Sequence, residues 1–337
     1  MFKNSPKIKV GLIGLGYWGP NYVRLISENS HTELVWACDI DSNKFFKVKE
    51  KYPNLEIKFI NDFEKNLNQV DAVILTTPWE THFQIASLCL EKEKHVLVEK
   101  PLTKTISEAR QLCKLAREKK KVLFVDHIFK YNPAVKELRK LIQTSQLGEI
   151  LYLTGEFLAL GPIRQDANAL WDLGIHFIYT AMFLLDATPI SVSVCGSDYL
   201  LRDIEDVCFI RMDFKNGIKV NISASWLFPE KIRKLVVVGN KAMAVFDDVK
   251  PEGKLYLYKK GASYIDEDTP YLLWDEGIKP VEVQPSEPLK EAFNEFVQAI
   301  IQKRQPLTNG EDGRKIIKIM TACQKSLKMG GKEVLLR

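Results

Sequence analysis

Three short stretches hold the residues whose types and spacing could do chemistry. Gly14-x-Gly16-x-x-Gly19 follows at once on an apolar run, Val10, Leu12 and Ile13. Glycines so placed allow a tight turn, a close backbone approach to a pyrophosphate, and packing of the next helix on the strand. Pro20 opens a helical segment, Asn21 to Asn29, whose free N–H groups and dipole favour a phosphate. Asp39 lies 20 residues beyond Gly19 and ends a second strand, Thr32 to Cys38. A carboxylate there binds ribose hydroxyls and repels a 2′-phosphate, which predicts NAD over NADP. Asp39-Ile-Asp41-Ser42 also reads as the start of a helix. Tyr17 and Trp18 read either as loop packing or as a cover for the cofactor.

The second stretch is Glu99-Lys100-Pro101. A lysine that closes a buried strand is unusual, because lysine is normally exposed. Its plainer reading is a snorkelling side chain paired with Glu99. Pro101 holds Lys100 extended and permits a cis bond, which would aim the lysine inward. The third is Trp171-Asp172-Leu173-Gly174-Ile175-His176. Asp172 and His176 stand four apart and share a face if the helix has begun. A histidine in the first helical turn is kept neutral by the dipole and ready to take a proton. The plainer reading makes Asp172 an N-cap and His176 a core imidazole.

Elements must position these residues. Up to Val125, strands alternate with helices. The further strands are Glu56 to Ile60, Asp71 to Thr76, His95 to Val98 and Val122 to Val125. Between them lie helices at Ser42 to Tyr52, Glu80 to Leu90 and Ser107 to Lys120, the last capped by Ser107. This alternation predicts a doubly wound parallel sheet, an α/β fold, with ligands beyond the carboxyl ends of its strands. Gly14, Asp39, Thr77-Pro78, Glu99-Lys100 and Asp126-His127 all lie at such ends. Asn132 to Gln143 reads as a bridging helix. From Glu149 the strands lengthen, and Lys215-Asn216-Gly217 reads as a hairpin turn. A C-terminal α+β domain with a large, mostly antiparallel open sheet is expected. Two amphipathic helices, Leu289 to Gln302 and Glu311 to Leu327, close the chain. The expected division is 1–127 and 128–337.

Composition narrows the classes. The chain has 337 residues, 46% hydrophobic, with a net charge of +5, so two domains with sizeable cores fit. The charge suits an anionic small molecule and makes a weak case for nucleic acid. Lys119-Lys120-Lys121 reads as a solvated helix end. The six cysteines are scattered without Cys-x-x-Cys, so neither zinc nor a disulfide framework is expected, and a reducing compartment, the cytoplasm, is. No run has signal-peptide or transmembrane character, so no membrane partner is expected.

With these residues assembled, the chain resembles the glucose–fructose oxidoreductase/inositol dehydrogenase (Gfo/Idh/MocA) family over nearly its whole length. The carriers are Gly14-Leu-Gly16-Tyr-Trp-Gly19, Thr77-Pro78-x-x-x-His82, Glu99-Lys100-Pro101, Asp172-x-x-x-His176 and Pro306-Leu-Thr-Asn-Gly310. The resemblance implies a Rossmann domain, a second domain whose open sheet forms a homo-oligomer (dimer or tetramer), and hydride transfer between nicotinamide and a sugar or cyclitol carbon. It implies that Lys100, Asp172 and His176 are catalytic and that the Lys100–Pro101 bond is cis. It places Thr77, Pro78, His82, Glu99 and Lys100 with the glycines, Tyr17, Trp18 and Asp39 at the cofactor. Many members have glycines before the aspartate where this chain has Ala169-Leu170-Trp171, a difference that would narrow the pocket or alter substrate choice. Gly161 to Asp166 and Ser225 to Arg233 look like the nucleotide-sugar branch, which makes Arg164, Lys231 and Arg233, in or beside loops, candidates to meet a diphosphate or carboxylate. The rivals are an inositol or free-sugar dehydrogenase and a non-catalytic NAD-binding regulator.

Overall fold

The computed structural model describes residues 6–268 and 270–336. The first five residues, part of the stretch read above as lacking a leader, lie outside the described residues. The chain divides into two compact units. One comprises residues up to His127 together with Leu289–Lys318, the other Ile128–Pro288 with Ile319–Arg337.

The first unit runs β1 (Ile8–Ile13), α1 (Gly19–Glu28), β2 (Thr32–Cys38), α2 (Asn43–Lys51), β3 (Phe59–Ile60), β4 (Ala72–Leu75), α3 (His82–Glu91), β5 (His95–Glu99), α4 (Ile106–Glu118) and β6 (Leu123–Asp126). The strands form one sheet in the order β3-β2-β1-β4-β5-β6, every pair parallel. The order reverses beside β1, the switch point where such sheets take ligands. β4 and β6 are buried along their length, as expected of strands covered on both faces. The start of α4 differs from the sequence reading. Its cap is Thr105, not Ser107, because Thr105 and Glu108 form a reciprocal capping box.

The second unit continues with α5 (Pro133–Gln143), β7 (Ile150–Leu160), α6 (Ile175–Leu185), β8 (Ser191–Ser197), β9 (Val207–Asp213), β10 (Lys219–Ser225), β11 (Leu227–Gly239), β12 (Met243–Asp247), β13 (Leu255–Ser263) and β14 (Leu272–Pro280). After α7 (Pro288–Ile301) and α8 (Gly310–Lys328), β15 (Val334–Leu335) ends the chain. Nine strands form one sheet, β14-β13-β12-β11-β7-β10-β9-β8-β15. Only β7 and β10 pair in parallel among them. Asn132 caps α5 by accepting from the Ala134 and Val135 N–H groups.

A single cut after His127 does not describe this chain. The stretch from Leu289 to Lys318 returns to the first unit because its apolar face completes that core. Phe293 and Phe296 on α7 are buried. They meet Tyr22 and Phe124 edge to face, with ring centres 6.4 and 5.8 Å apart. Each such ring contributes about 1.5–3 kcal/mol by leaving water.

Candidate functional site

In the first unit the glycine turn has the form its sequence implies. Gly14 adopts φ +95°, and a Cβ there would press on the Thr76–Thr77 backbone, so a side chain is excluded on both counts. A Cβ on Gly19 would collide with the Gly14 carbonyl oxygen, which is how α1 packs onto the turn. At Gly16 a Cβ would stand in open space. Gly16 is therefore not required by packing, and the room beside it suits a ligand's phosphates. No side chain caps α1, and Pro20 sits in its first turn, leaving N–H groups for an anion. Tyr17 is exposed and meets Trp18 edge to face at 5.2 Å.

Asp39 is 5% exposed. Its Oδ2 accepts from the Leu15 N–H at 2.7 Å and its Oδ1 from the Asp41 N–H at 2.9 Å. The carboxylate thus ties the glycine turn to the end of β2 and also bends the chain toward α2. Asp39 is not the cap of α2, whose N-cap position is Ser42. The open glycine turn, the uncapped helix start and this carboxylate together fit a dinucleotide, whose ribose Asp39 would meet. Lys44 Nζ stands 3.3 Å from Asp39 Oδ2. Asp39→Ala should cost NAD roughly ten- to hundredfold in affinity and narrow its lead over NADP. Titrations of both cofactors against tryptophan fluorescence check this, and a tighter grip on NADP by the unaltered protein would refute the preference.

His82 is buried, and both its ring nitrogens face main-chain carbonyls. Nδ1 lies 2.8 Å from the Pro101 oxygen and Nε2 3.0 Å from the Thr77 oxygen. Burial holds the imidazole below its usual range, against the pull of those two carbonyls. The neutral ring can donate to one of these carbonyls, and it sits between the Thr77-Pro78 loop and the bend after β5. Lys100 is partly exposed at that bend, and the Lys100–Pro101 bond is cis. Glu99, the residue before it, is buried.

In the second unit Asp172 lies in a π-helical turn, Leu170–Gly174, that runs directly into α6. Such turns recur at functional sites. The Asp172 N–H donates to the Asn168 carbonyl, so Asp172 is inside the helix and is not its cap. The helix start thereby moves back, and His176 lies beyond the first turn, where the dipole expected to act on it has faded. Asn168 anchors the turn. Its Oδ1 accepts from the Trp171 N–H, and its amide donates to Glu205 and Gln324. Trp171 Nε1 donates to the same Gln324 oxygen. The bulk of Trp171 is thus spent inside the unit.

Asp172 Oδ2 accepts from Trp226 Nε1 at 3.1 Å, and Oδ1 lies 3.4 Å from Arg164 Nη1. Arg164 also forks onto Asp166, its Nε 2.9 Å from Oδ1. The His176 ring stacks on Phe157, centres 5.4 Å apart and planes 15° apart, with Phe129 at 5.5 Å. It remains partly exposed, so it is not a core imidazole. The Arg233 guanidinium lies 4.8 Å from the centre of Phe157 and 3.6 Å from Asp248. Arg233 is therefore committed to the aromatic cluster behind His176. Lys231 and Arg233 belong to β11, not to a loop, and Lys231 is exposed. The sequence reading gave no site role to Trp226, Phe157, Asn168 or Gln324. A buried tryptophan needs an acceptor for its indole N–H, and that need was the one available signal for Trp226.

Among the described residues no group of three His, Cys, Asp or Glu side chains could hold a metal, and no helix is long and apolar enough to cross a membrane. The pattern of an oxidoreductase family with an NAD-binding Rossmann fold matches residues 8–127. The C-terminal alpha/beta domain of the same family, Gfo/Idh/MocA, matches 139–335. The UDP-N-acetylglucosamine 3-dehydrogenase of Acidithiobacillus ferrooxidans is 27% identical over 316 residues, 92% of this chain and 94% of that protein. A solved structure of that enzyme superposes with a TM-score of 0.81 at 24% identity, covering 96% of this chain and 99% of the other. The inositol 2-dehydrogenase of Salmonella typhimurium is 25% identical over 221 residues, 63% of this chain and 66% of its own.

Proposed function

Because the chain belongs to the Gfo/Idh/MocA oxidoreductase family, we propose that it oxidises a ring hydroxyl of a nucleotide-linked sugar or sugar acid, or reduces the matching ketone. Bound NAD supplies the hydride acceptor or donor. His176, its plane fixed by Phe157, takes the hydroxyl proton as the carbonyl forms. The Lys100 ammonium stabilises the developing alkoxide. Asp172, held on one oxygen by the Trp226 indole, orients the substrate hydroxyl. The observation that carries this reading is the Asp172–His176 pair: one turn apart, partly exposed, each held by its own buried support. The joint presence of Lys100, Asp172 and His176 weighs against a regulator that only binds NAD.

The nucleotide handle rests on the near full-length match to a UDP-sugar dehydrogenase and on Arg164. That guanidinium sits beside Asp172 and is bound by two carboxylates. An incoming diphosphate or uronate matches its fork as well as Asp166 does. Lys231, exposed on β11, is a second cation for such a group. The second unit, Ile128–Pro288 with Ile319–Arg337, carries substrate binding. The unpacked face of the nine-stranded sheet, with Tyr152 and Phe209 exposed on it, is the surface for a dimer or tetramer. Six free thiols favour a reducing compartment, the cytoplasm.

A thermal-shift panel with NAD present tests the substrate. UDP- or dTDP-sugars should raise the melting temperature by mass action. A response to inositol or free glucose alone, with none to any nucleotide sugar, would overturn the handle and leave the dehydrogenase standing.

A further inference from the structure

The carboxyl ends of β5 and β6 hold two acids that the reaction above does not use. Glu99 and Asp126 are register partners on adjacent parallel strands, so their side chains leave the same face of the sheet. Both are buried, 8% and 3% exposed. The Tyr22 hydroxyl on α1 donates to Asp126 Oδ2 at 2.7 Å. Glu99 Oε1 and Asp126 Oδ1 are buried and have no hydrogen-bond partner among the described residues. Two carboxylates so placed cannot both ionise cheaply, since each loses its hydration and repels the other.

We propose that Glu99 and Asp126 act as one acid, with a single proton held on Glu99 and Asp126 left ionised at neutral pH, so that one negative charge and not two stands beside Lys100. Tyr22 decides which partner keeps the proton, because its hydroxyl donates to a carboxylate oxygen of Asp126 and to none of Glu99. Burial first, and then the Asp126 charge, hold Glu99 well above the usual carboxylate range, against the pull of Lys100. Burial also pushes Asp126 up to about 6, while Tyr22 and Lys100 oppose that rise. The charged and titratable groups acting on the pair are Lys100 at the end of β5 and Tyr22 on α1, and His127 follows Asp126 in the chain. Loss of the proton would set a second negative charge by the ammonium and weaken the field that Lys100 offers an alkoxide. That consequence rests on the role proposed for Lys100; the proton on Glu99 does not.

Infrared spectra of the full chain without cofactor, taken across a pH titration, read the proton directly. At neutral pH the protein should show the carbonyl stretch of a buried protonated carboxyl, and alkali should remove it. Glu99→Gln should lose the band. Asp126→Asn should keep it and lose it at lower pH, because the like charge is gone. Circular dichroism checks that each variant folds, and the titration of the unaltered protein stands alone if neither does. No protonated carboxyl at neutral pH, or a band unchanged by Glu99→Gln, would overturn the inference. A chain that turned over no sugar yet kept the band would refute the dehydrogenase role and leave the proton on Glu99 in place.

Discussion

Lys100→Met should lower turnover by roughly a hundredfold or more while NAD affinity stays near that of the unaltered protein. Methionine keeps an unbranched chain of similar length and removes the ammonium. The loss then falls on the one moment when charge develops on the substrate oxygen. It should appear in kcat and in kcat/KM alike, because an interaction made only in the transition state contributes to both. Steady-state kinetics on the true substrate, with a fluorescence titration of NAD alongside, separate this from damage to the cofactor site. The bend around Lys100 is held from outside the lysine, by His82 on the Pro101 and Thr77 carbonyls, so the backbone should survive the exchange. Full activity in this variant would remove Lys100 from the chemistry.

His176→Asn should cost roughly 10²- to 10⁴-fold in turnover, the range for losing a general base. Asparagine keeps a polar side chain but cannot accept the proton. The ring's stacking on Phe157 is lost with it, so His176→Phe is a useful second variant: it restores an aromatic face and still lacks the base. If stacking were the whole role, phenylalanine would recover activity. If proton transfer is the role, both variants stay slow, and residual rates should climb with pH as hydroxide replaces the imidazole. Recovery in His176→Phe would assign the proton to another group.

The parts of this site legible in the sequence were those whose signal is local. Gly14, Gly16 and Gly19 follow a buried strand and precede a helix, and all three bear on one turn. Asp39, Lys100, Asp172 and His176 each stand out by residue type against a fixed element boundary. What stayed hidden depends on partners distant in the chain. Trp226 reaches Asp172 across 54 residues. Gln324 steadies Trp171 across 153. The π-turn at Leu170–Gly174 has no sequence signature, and it changed where the helix begins and what the dipole can do to His176. The charge of Arg233 was visible, and the Phe157 face beneath it was not. Asp275-Glu276-Gly277 breaks any apolar alternation in β14, so that strand leaves little trace in the sequence. The pairing of Glu99 with Asp126 required the register of two parallel strands, which spacing alone does not supply.

The return of α7 to the first unit has a consequence for synthesis. The ribosome completes β6 and then makes roughly 160 residues of the second unit before Phe293 and Phe296 exist, a wait of roughly 8–30 s at ordinary elongation rates. Throughout that interval Tyr22 and Phe124 lack the rings that will cover them. The nascent N-terminal half therefore emerges with an open apolar seam, the kind of surface that holdase chaperones recognise. A premature stop before Leu289 would leave that seam open for good and mark the truncated product for proteolysis.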